Sequence, residues 1–180
     1  MAEIKDFLPA KLICGIIAAE EPFFKAAEQE LCQLYGPIDL KSQFFPFEYT
    51  DYYLKDMGPG LKRCFLSFSR LRDPSELSQI KHETNSLEEK LKQFFSASRR
   101  VVNLDPGILT PASLIMATAK NFSHRIPLEK GIYGHLEFIF QKGSIKTLEW
   151  TYPDFRQTSY HPFFLAARRI YLKQLKEARP

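Results

Sequence analysis

A run of nine residues near the start of the chain, Lys11 to Ala19 (KLICGIIAA), constrains the possible folds more than any other feature. The run is apolar and partly β-branched, but it is shorter than the roughly 18 apolar residues that a membrane span requires. Glu3 and Asp6 lie where a secretion signal would carry basic residues. The run is therefore predicted to be a strand that is buried on both faces, in a protein that makes no contact with a membrane.

Composition and cysteine spacing predict an ordinary globular protein of the cytoplasm. The 180 residues suffice for one domain with a sizeable core, and no repeat or linker divides them, so one domain over residues 1–180 is expected. A content of 44% hydrophobic and 26% charged residues excludes a disordered, collagen-like or coiled-coil chain. Three widely spaced cysteines argue against a disulfide framework and favour a reducing compartment.

The first part of the chain predicts an α+β fold. A helix is expected from Pro22 to the stop at Gly36-Pro37, and a second helix after the capping box at residues 73–76 (DPSE). Further strands are predicted over 44–49, 63–68 and 100–105. The last of these is expected to end at Pro106-Gly107. Together with the first strand, these elements have the order β-α-β-β-α-β, which is typical of a ferredoxin-like split βαβ antiparallel sheet.

The remaining residues predict a C-terminal helix–hairpin–helix extension of that sheet. A short helix is expected from Thr110-Pro111 to about Ala119. A hairpin is predicted over 134–140 and 145–150, with its turn at Lys142-Gly143-Ser144. The last helix is expected to begin at His161-Pro162, because proline suits the first turn of a helix.

Sequence motifs for the common cofactors and metals are missing. The chain contains neither the phosphate-binding loop Gly-x-x-x-x-Gly-Lys-Ser/Thr nor the dinucleotide motif Gly-x-Gly-x-x-Gly. It also lacks the His-Glu-x-x-His and Gly-x-Ser-x-Gly motifs, and its four histidines show no zinc spacing. The sequence therefore assigns no cofactor, and it leaves the metal requirement and the oligomeric state open.

Two polar clusters lie at the ends of predicted elements of secondary structure. In NLDPG (103–107), Asn103 could bind a ligand and Asp105 could hold a metal or act as a base, although turn formation explains the same residues. In KNFSHR (120–125), the cations suit a phosphate or a carboxylate, and His124 can exchange a proton near neutral pH. A solvated connector is the alternative for this second cluster.

Two further clusters combine aromatic and charged residues. In WTYPDFR (150–156), Asp154 and Arg156 could pair across a turn while aromatic rings line a pocket; a structural corner with an internal ion pair is the alternative. In EYTDYY (48–53), Glu48 and Tyr52 lie at a predicted strand end, where tyrosines whose hydroxyl groups reach water are equally expected.

We hypothesise that these four segments converge on one cleft walled by aromatic rings. Acids would then face bases around a small anionic, phosphate- or nucleotide-like ligand, with or without a bridging divalent ion. The expected catalytic residues are His124 as the proton carrier, and Asp105 and Asp154 as orienting groups or metal ligands. The expected ligand-binding residues are Lys120, Asn121, Arg125, Arg156, Asn103, Tyr152, Glu48 and Tyr52.

Four stretches carry a family resemblance: 47–63 (FEYTDYYLKDMGPGLKR), 103–107 (NLDPG), 117–133 (ATAKNFSHRIPLEKGIY) and 150–156 (WTYPDFR). In these stretches the chain resembles a bacterial family of uncharacterised proteins labelled domain of unknown function 4416. The resemblance implies that the polar clusters belong to the family's pattern, and it implies no activity. Similar proteins sometimes bear the label GTP-binding, but this sequence lacks the phosphate loop and the Asn/Thr-Lys-x-Asp motif that the label normally implies.

Two other interpretations of the chain remain open. A nucleic-acid-associated module is favoured by the ferredoxin-like layer, the net charge of +4 and a basic last helix, although cations near a helix end also complement the helix dipole. The basic residues of that helix are Arg168, Arg169, Lys173, Lys176 and Arg179. The other interpretation is a partner-binding protein without catalysis, whose exposed aromatic patch would include Phe44, Phe45, Tyr52 and Tyr53.

Overall fold

The apolar run near the start of the chain forms the strand β1 (Ala10–Ala18) in a computed structural model that describes residues 3–49 and 52–178. Every residue of β1 is buried, which confirms the prediction of a strand covered on both faces. The other strands are β2 (Ile38–Lys41), β3 (Phe45–Pro46), β4 (Lys62–Arg72), β5 (Val102–Leu109), β6 (Ser113–Thr118), β7 (Ile126–Pro127), β8 (Tyr133–Gln141) and β9 (Ser144–Thr147). The α-helices are α1 (Glu21–Tyr35), α2 (Tyr52–Met57), α3 (Leu77–Phe94) and α4 (His161–Glu177).

The nine strands of the described residues form one antiparallel sheet. Their order is β2-β4-β1-β5-β6-β8-β7, with β3 beside β4 and β9 beside β8. The α+β class, with a large antiparallel sheet and a C-terminal helix, is therefore confirmed.

Helices cover both faces of this sheet. Leu12, Cys14 and Ile16 of β1 point to the face that carries α1 and α3. Ile13 points to the other face, where Phe65 and Phe164 join it in a second apolar core around α4. Because side chains alternate along a strand, a strand between two such layers is apolar on both sides. This alternation explains the continuous apolar run in the sequence.

Lys11 is a buried charge within β1. Its ammonium group donates to Asp39 at 2.5 Å, to the carbonyl oxygen of Phe68 at 3.0 Å and to Gln174 at 3.0 Å. These acceptors match the three N–H donors of a lysine. The bond to Gln174 also attaches α4 to the sheet.

The starts of α1 and α3 follow their sequence signals. Pro22 occupies the first turn of α1. The carboxylate of Asp73 accepts a hydrogen bond from the N–H of Ser75 at 2.8 Å, and Glu76 accepts one from the N–H of Asp73 at 3.4 Å. This capping box opens a short 3-10 turn that leads into α3, so the predicted helix starts are confirmed.

The prediction that Pro106-Gly107 ends the fourth strand is wrong, because β5 continues to Leu109. The N–H of Leu104 points away from β1, where it donates to Glu88. Backbone nitrogens two residues apart on a strand point to the same side, so the nitrogen of Pro106 also points away from β1. Pairing with β6 begins only at Gly107, so the missing N–H of Pro106 costs no ladder bond. Gly107 fits a close approach, since a Cβ there would lie 2.8 Å from the carbonyl oxygen of Ile115.

The helix predicted over residues 110–119 is also wrong, because residues 113–118 form the strand β6. Oγ1 of Thr110 accepts hydrogen bonds from the N–H groups of Ala112 at 3.2 Å and Ser113 at 2.9 Å. Such a hydroxyl begins helices and tight turns alike, and here it closes the turn between two paired strands. The extension is therefore strand, hairpin and helix rather than helix–hairpin–helix. The hairpin of β8 and β9 and the last helix are confirmed, although β9 ends at Thr147 and not at Trp150 as predicted.

The strand predicted over residues 44–49 is reduced to β3, and the sequence did not reveal β2. Pro46 lies in a two-residue strand that, among the described strands, pairs with β4 alone, which agrees with the expected edge position of a proline. Cys14, Cys32 and Cys64 are free thiols, as expected. In the described ranges, no helix combines the length and apolar character needed to cross a bilayer.

Candidate functional site

The candidate site lies where β6 turns away from β5. β5 pairs with β1 over residues 102–109 but with β6 only over residues 107–109. The outer edge of β5 at residues 103–105 therefore pairs with no strand in the described part of the chain. A cavity of about 460 Å³ opens there, and β6, α3 and the turn around Asp154 form its other walls. Its volume is in the range of pockets that bind small molecules.

Side chains of α3 satisfy the open edge of β5. Nζ of Lys81 donates to the carbonyl oxygen of Leu104 at 2.8 Å, and the N–H of Leu104 donates to Glu88 at 2.7 Å. Lys81 and Glu88 are buried because they fall on the same helical stripe as the apolar residues of α3. Within the described residues Lys81 makes this single hydrogen bond, which leaves two of its three donors for the cavity that it lines.

Glu88 also binds a second residue of this wall. Its other carboxylate oxygen lies 3.2 Å from Nη1 of Arg100, whose Cζ lies 5.4 Å from the centre of the Tyr53 ring. Burial raises the pKa of Glu88, against the opposing effects of the Leu104 N–H, Lys81 and Arg100. Nε of Arg100 is buried and makes no hydrogen bond within the described ranges.

On the opposite wall, Arg63 of β4 holds two carboxylates. Its Nη2 donates to Asp105 at 2.7 Å, and its Nη1 donates to Asp154 at 2.5 Å. The guanidinium is buried, and its Cζ lies 4.7 Å from the centre of the Phe47 ring. Burial raises the pKa of Asp154, and the charge of Arg63 acts in the opposite direction. The ionised form of Asp154 therefore depends on the arginine.

Parts of all four predicted clusters meet at this cavity. Five predicted residues line it: Asn103, Asp105, Lys120, Tyr152 and Asp154. Tyr49 and Tyr53 of the fourth cluster line it as well. Five predicted residues lie outside the lining: Glu48, Asn121, His124, Arg125 and Arg156. The side chain of Tyr52 lies outside the described residues, as do Thr50 and Asp51.

The cavity lining has spare hydrogen-bond donors and an excess of positive charge. Asn103 is only 5% exposed, and its Nδ2 has no hydrogen-bond partner among the described residues. An unsatisfied buried donor costs about 1–3 kcal/mol. The charged lining residues are the cations Arg63, Lys81, Arg100 and Lys120 and the carboxylates Asp105 and Asp154. Among the described residues of the lining, four cations against two carboxylates leave an excess of two positive charges, which favours an anionic ligand.

His124 and Arg125 belong to a second group of polar residues, centred on His135 of β8. Nδ1 of His135 accepts a hydrogen bond from Nε of Arg125 at 3.3 Å, and Nε2 of His124 lies 3.1 Å from the same atom. An arginine can only donate hydrogen bonds, so Nδ1 of His135 must be the acceptor and carries no proton. The proton of the neutral ring is then on Nε2. Nε2 lies 3.2 Å from the buried carboxylate of Glu137, outside ideal hydrogen-bond alignment.

Arg125 connects this group to the cavity wall. Its Nη2 donates to the hydroxyl of Tyr152 at 2.7 Å, and its Nη1 donates to the carbonyl oxygen of Lys120 at 2.6 Å. Tyr152 and Lys120 both line the cavity. Arg125 therefore positions two wall residues from behind.

The structure contradicts the expected ion pair between Asp154 and Arg156. Asp154 points inward to Arg63, whereas the exposed Arg156 donates from Nε to the carbonyl oxygen of Thr151 at 2.9 Å and from Nη2 to that of Glu149 at 2.6 Å. Both residues lie in the short 3-10 helix 153–156, which directs them to different sides. Arg156 thus closes its own turn.

Three charged residues of the cavity wall were not predicted from the sequence, namely Arg63, Lys81 and Arg100. A signal was present for the first two. Arg63 begins the apolar run of β4, and Lys81 falls on the apolar stripe of α3. A charge at a buried position is unfavourable unless an opposite charge or a ligand accompanies it. Charges within apolar patterns are therefore site candidates in their own right.

The residues behind the other two interpretations make structural contacts. On α4, Nε of Arg168 donates to the carbonyl oxygen of Pro111 at 2.9 Å, and Lys173 lies 3.6 Å from Glu177; Arg179 lies outside the described residues. In the aromatic patch, Phe45 is buried while Phe44 is 42% exposed. The burial of Phe45 weakens the proposed docking patch.

Within residues 3–49 and 52–178, no three His, Cys, Asp or Glu side chains are grouped to hold a metal ion.

No curated protein and no solved structure matches the chain. A family model matches residues 8–171, a range that contains the whole sheet and every residue of the cavity lining. The chain therefore belongs to the family described as domain of unknown function DUF4416.

Proposed function

We propose that the cavity beside β5 binds a small anionic molecule. The observation that carries the proposal is the excess of two positive charges in the lining, next to the unpartnered Nδ2 of Asn103 described above. Nδ2 of Asn103 and the two remaining donors of Lys81 lack acceptors among the described residues, and an anion supplies such acceptors. The volume of about 460 Å³ suits a small metabolite.

In this proposal the two aspartates shape the site. Asp105 and Asp154 hold Arg63 in place, and the side chain of Asp105 remains 24% exposed. Oδ2 of Asp105 binds Arg63, so Oδ1 is left to accept a hydrogen bond from the ligand. The proton-carrying role predicted for His124 stays a prediction. His124 reaches the cavity only through its neighbours His135 and Arg125.

Thermal unfolding with a panel of anions at matched ionic strength tests the proposal. The panel contains phosphate, pyrophosphate, nucleotides and dicarboxylates. A ligand at 100 times its Kd stabilises a protein by about 2.7 kcal/mol, which for a chain of this size raises the Tm by about 5–11 °C. We expect Lys81→Met to abolish the increase. The matched control is Lys90→Met, because Lys90 lies on the same helix but is exposed and bound to Glu30.

Two results would contradict the proposal. The first is the absence of any anion that raises the Tm. The second is an increase that is equally large in Lys81→Met and in Lys90→Met, since the bound anion would then lie elsewhere.

We also propose that the sheet from β1 to β5, with α1 and α3, is a ferredoxin-like split βαβ unit. In the order β2-β4-β1-β5, β4 lies between β2 and β1, and β1 lies between β4 and β5. α1 and α3 contact each other on one face of the sheet. Two interleaved βαβ units produce this arrangement. An experimental structure of a family member with another strand order would contradict it.

A further inference from the structure

The two ends of the cavity offer different hydrogen-bonding groups. At one end, here called the donor end, Lys81 has two donors left, and Nδ2 of Asn103 and Nε of Arg100 have no partner among the described residues. At the other end, Oδ1 of Asp105 accepts no hydrogen bond from any described residue, while Oδ2 binds Arg63. A ligand that satisfies both ends therefore carries an acceptor group and a donor group.

The strand β5 sets the distance between the two ends. Asn103 and Asp105 are two residues apart on this strand, so their side chains point to the same face of the sheet, about 7 Å apart. The hydroxyl groups of a phosphorylated sugar or polyol lie at comparable distances from the phosphate. A sugar or polyol phosphate can therefore place its phosphate at the donor end while one of its hydroxyl groups reaches Asp105.

The charge of the lining matches a phosphate monoester better than a carboxylate. The excess is two positive charges, and a phosphate monoester carries about −1.5 to −2 charges at pH 7, whereas a carboxylate carries a single charge. Glu88 lies behind Arg100 and offsets part of this excess.

The tyrosines of the wall are compatible with such a ligand. Tyr53 and Tyr152 line the cavity. Burial raises the pKa of both phenols, so they stay neutral and do not repel an anion. Their rings offer apolar faces to the C–H groups of a sugar.

We propose, building on the anion-binding function above, that the ligand is a phosphate monoester of a sugar or another polyol. Lys81, Asn103 and Arg100 bind the phosphate, and Oδ1 of Asp105 accepts a hydrogen bond from a hydroxyl group of the ligand.

Titration calorimetry at pH 7 with five probes tests this assignment. The probes are inorganic phosphate, glucose 6-phosphate, ribose 5-phosphate, glucose and gluconate. We expect at least one sugar phosphate to bind ten-fold or more tightly than inorganic phosphate, and glucose and gluconate to bind at least ten-fold more weakly than that sugar phosphate. Lys81→Met and Asn103→Ala should each weaken both phosphate probes about ten-fold or more.

The variant Asp105→Ala separates the two ends of the cavity. In this variant the sugar phosphate and inorganic phosphate should bind with about equal affinity, because the acceptor for the sugar hydroxyl group is gone. Asp56→Ala is the matched control, because Asp56 is exposed on α2 and lies outside the lining. The readout is a ratio of two affinities measured on the same folded protein, so a change in stability does not imitate it.

The outcomes distinguish this inference from the function on which it rests. Sugar phosphates that bind no more tightly than inorganic phosphate, or a preference that survives in Asp105→Ala, would overturn the inference and leave anion binding intact. Gluconate binding as tight as that of glucose 6-phosphate would overturn the selection of phosphate. A protein that binds none of the phosphates or carboxylates would overturn both.

Discussion

Replacing Arg63 by methionine removes the cation from a buried cluster but keeps an unbranched apolar side chain against the Phe47 ring. Asp154, which is 5% exposed, then loses the Nη1 donor at 2.5 Å, and Asp105 loses the Nη2 donor at 2.7 Å. The loss of one partner from a buried ion pair costs about 3–5 kcal/mol, because the other charge stays buried without compensation. We expect a loss of this size in the free energy of unfolding of Arg63→Met at pH 7.

Urea unfolding and thermal unfolding both measure this loss. Since about 1 kcal/mol shifts the Tm of a chain of this size by about 2–4 °C, the expected decrease is about 6–20 °C. The control is Lys25→Met, which removes a lysine from an ion pair with Glu21 in which both side chains are 69% exposed. Exposed pairs of this kind contribute little to stability, so the control should change the Tm only slightly.

The pH dependence of the same variant isolates the buried carboxylate. Burial raises the pKa of Asp154 even beside Arg63, and without the arginine the main opposing charge is gone. A group whose pKa is raised by folding stabilises the protein below its unfolded pKa, and this contribution is lost as the pH rises through its folded pKa. The loss in the free energy of unfolding caused by Arg63→Met should therefore shrink as the pH falls from 7 to 4. Adding Asp154→Asn to this variant should remove the pH dependence. A deficit below about 1 kcal/mol at pH 7, or one that is independent of pH, would refute the reasoning.

Three further predictions concern the strands and the polar clusters. Gly107→Ala should destabilise the protein by about 1–3 kcal/mol in urea unfolding, because its Cβ would lie 2.8 Å from the backbone carbonyl oxygen of Ile115. Gly134→Ala, whose nearest contact is at 3.6 Å, should cost clearly less. Glu88→Ala should cost about 1–3 kcal/mol by leaving the N–H of Leu104 unpaired, and Glu89→Ala, at an exposed position, should cost little. Burial, His135 and Arg125 lower the pKa of His124. The contribution of His124 to stability is therefore present above its unfolded pKa and is lost as the pH falls through its folded pKa. The decrease in the free energy of unfolding from pH 7 to 5 should consequently be smaller in His124→Gln than in the wild type.

Local patterns predicted those parts of the fold that local chemistry decides. β1, α1, α3 and α4 carry an apolar run, a proline in the first turn or a capping box, and each of these signals acts within a few residues. The prediction for the segment from Pro106 to Ala119 was wrong because its sequence signals are compatible with two structures. Pro-Gly ends a strand in most settings, and Thr-Pro caps a helix in many. Pairing with β1 and β8, which are distant in the sequence, decided for strands instead.

The candidate site was predictable to the extent that its residues lie in polar loops. Asp105, Lys120 and Asp154 stood out because each lies in a short cluster of polar residues, and they line one cavity. The partner that joins Asp105 to Asp154 is Arg63, which lies 42 and 91 residues away from them along the chain. No local pattern pairs residues at such separations. The contact with Asp105 follows from the order of β4, β1 and β5 in the sheet, and the contact with Asp154 follows from the packing of the 3-10 helix 153–156 against β4.

The position of the site follows from a requirement of the sheet itself. Where β6 leaves β5, the backbone of Leu104 loses a neighbouring strand, and a buried N–H or carbonyl group needs another partner. Lys81 and Glu88 of α3 provide those partners, and this brings charged groups to the inner end of the cavity. Lys81 donates one of its three hydrogens to the backbone and faces the cavity with the others. The same ammonium group therefore completes the fold and creates the positive charge that an anion would bind, so the stability of this edge and its affinity for a ligand depend on one residue.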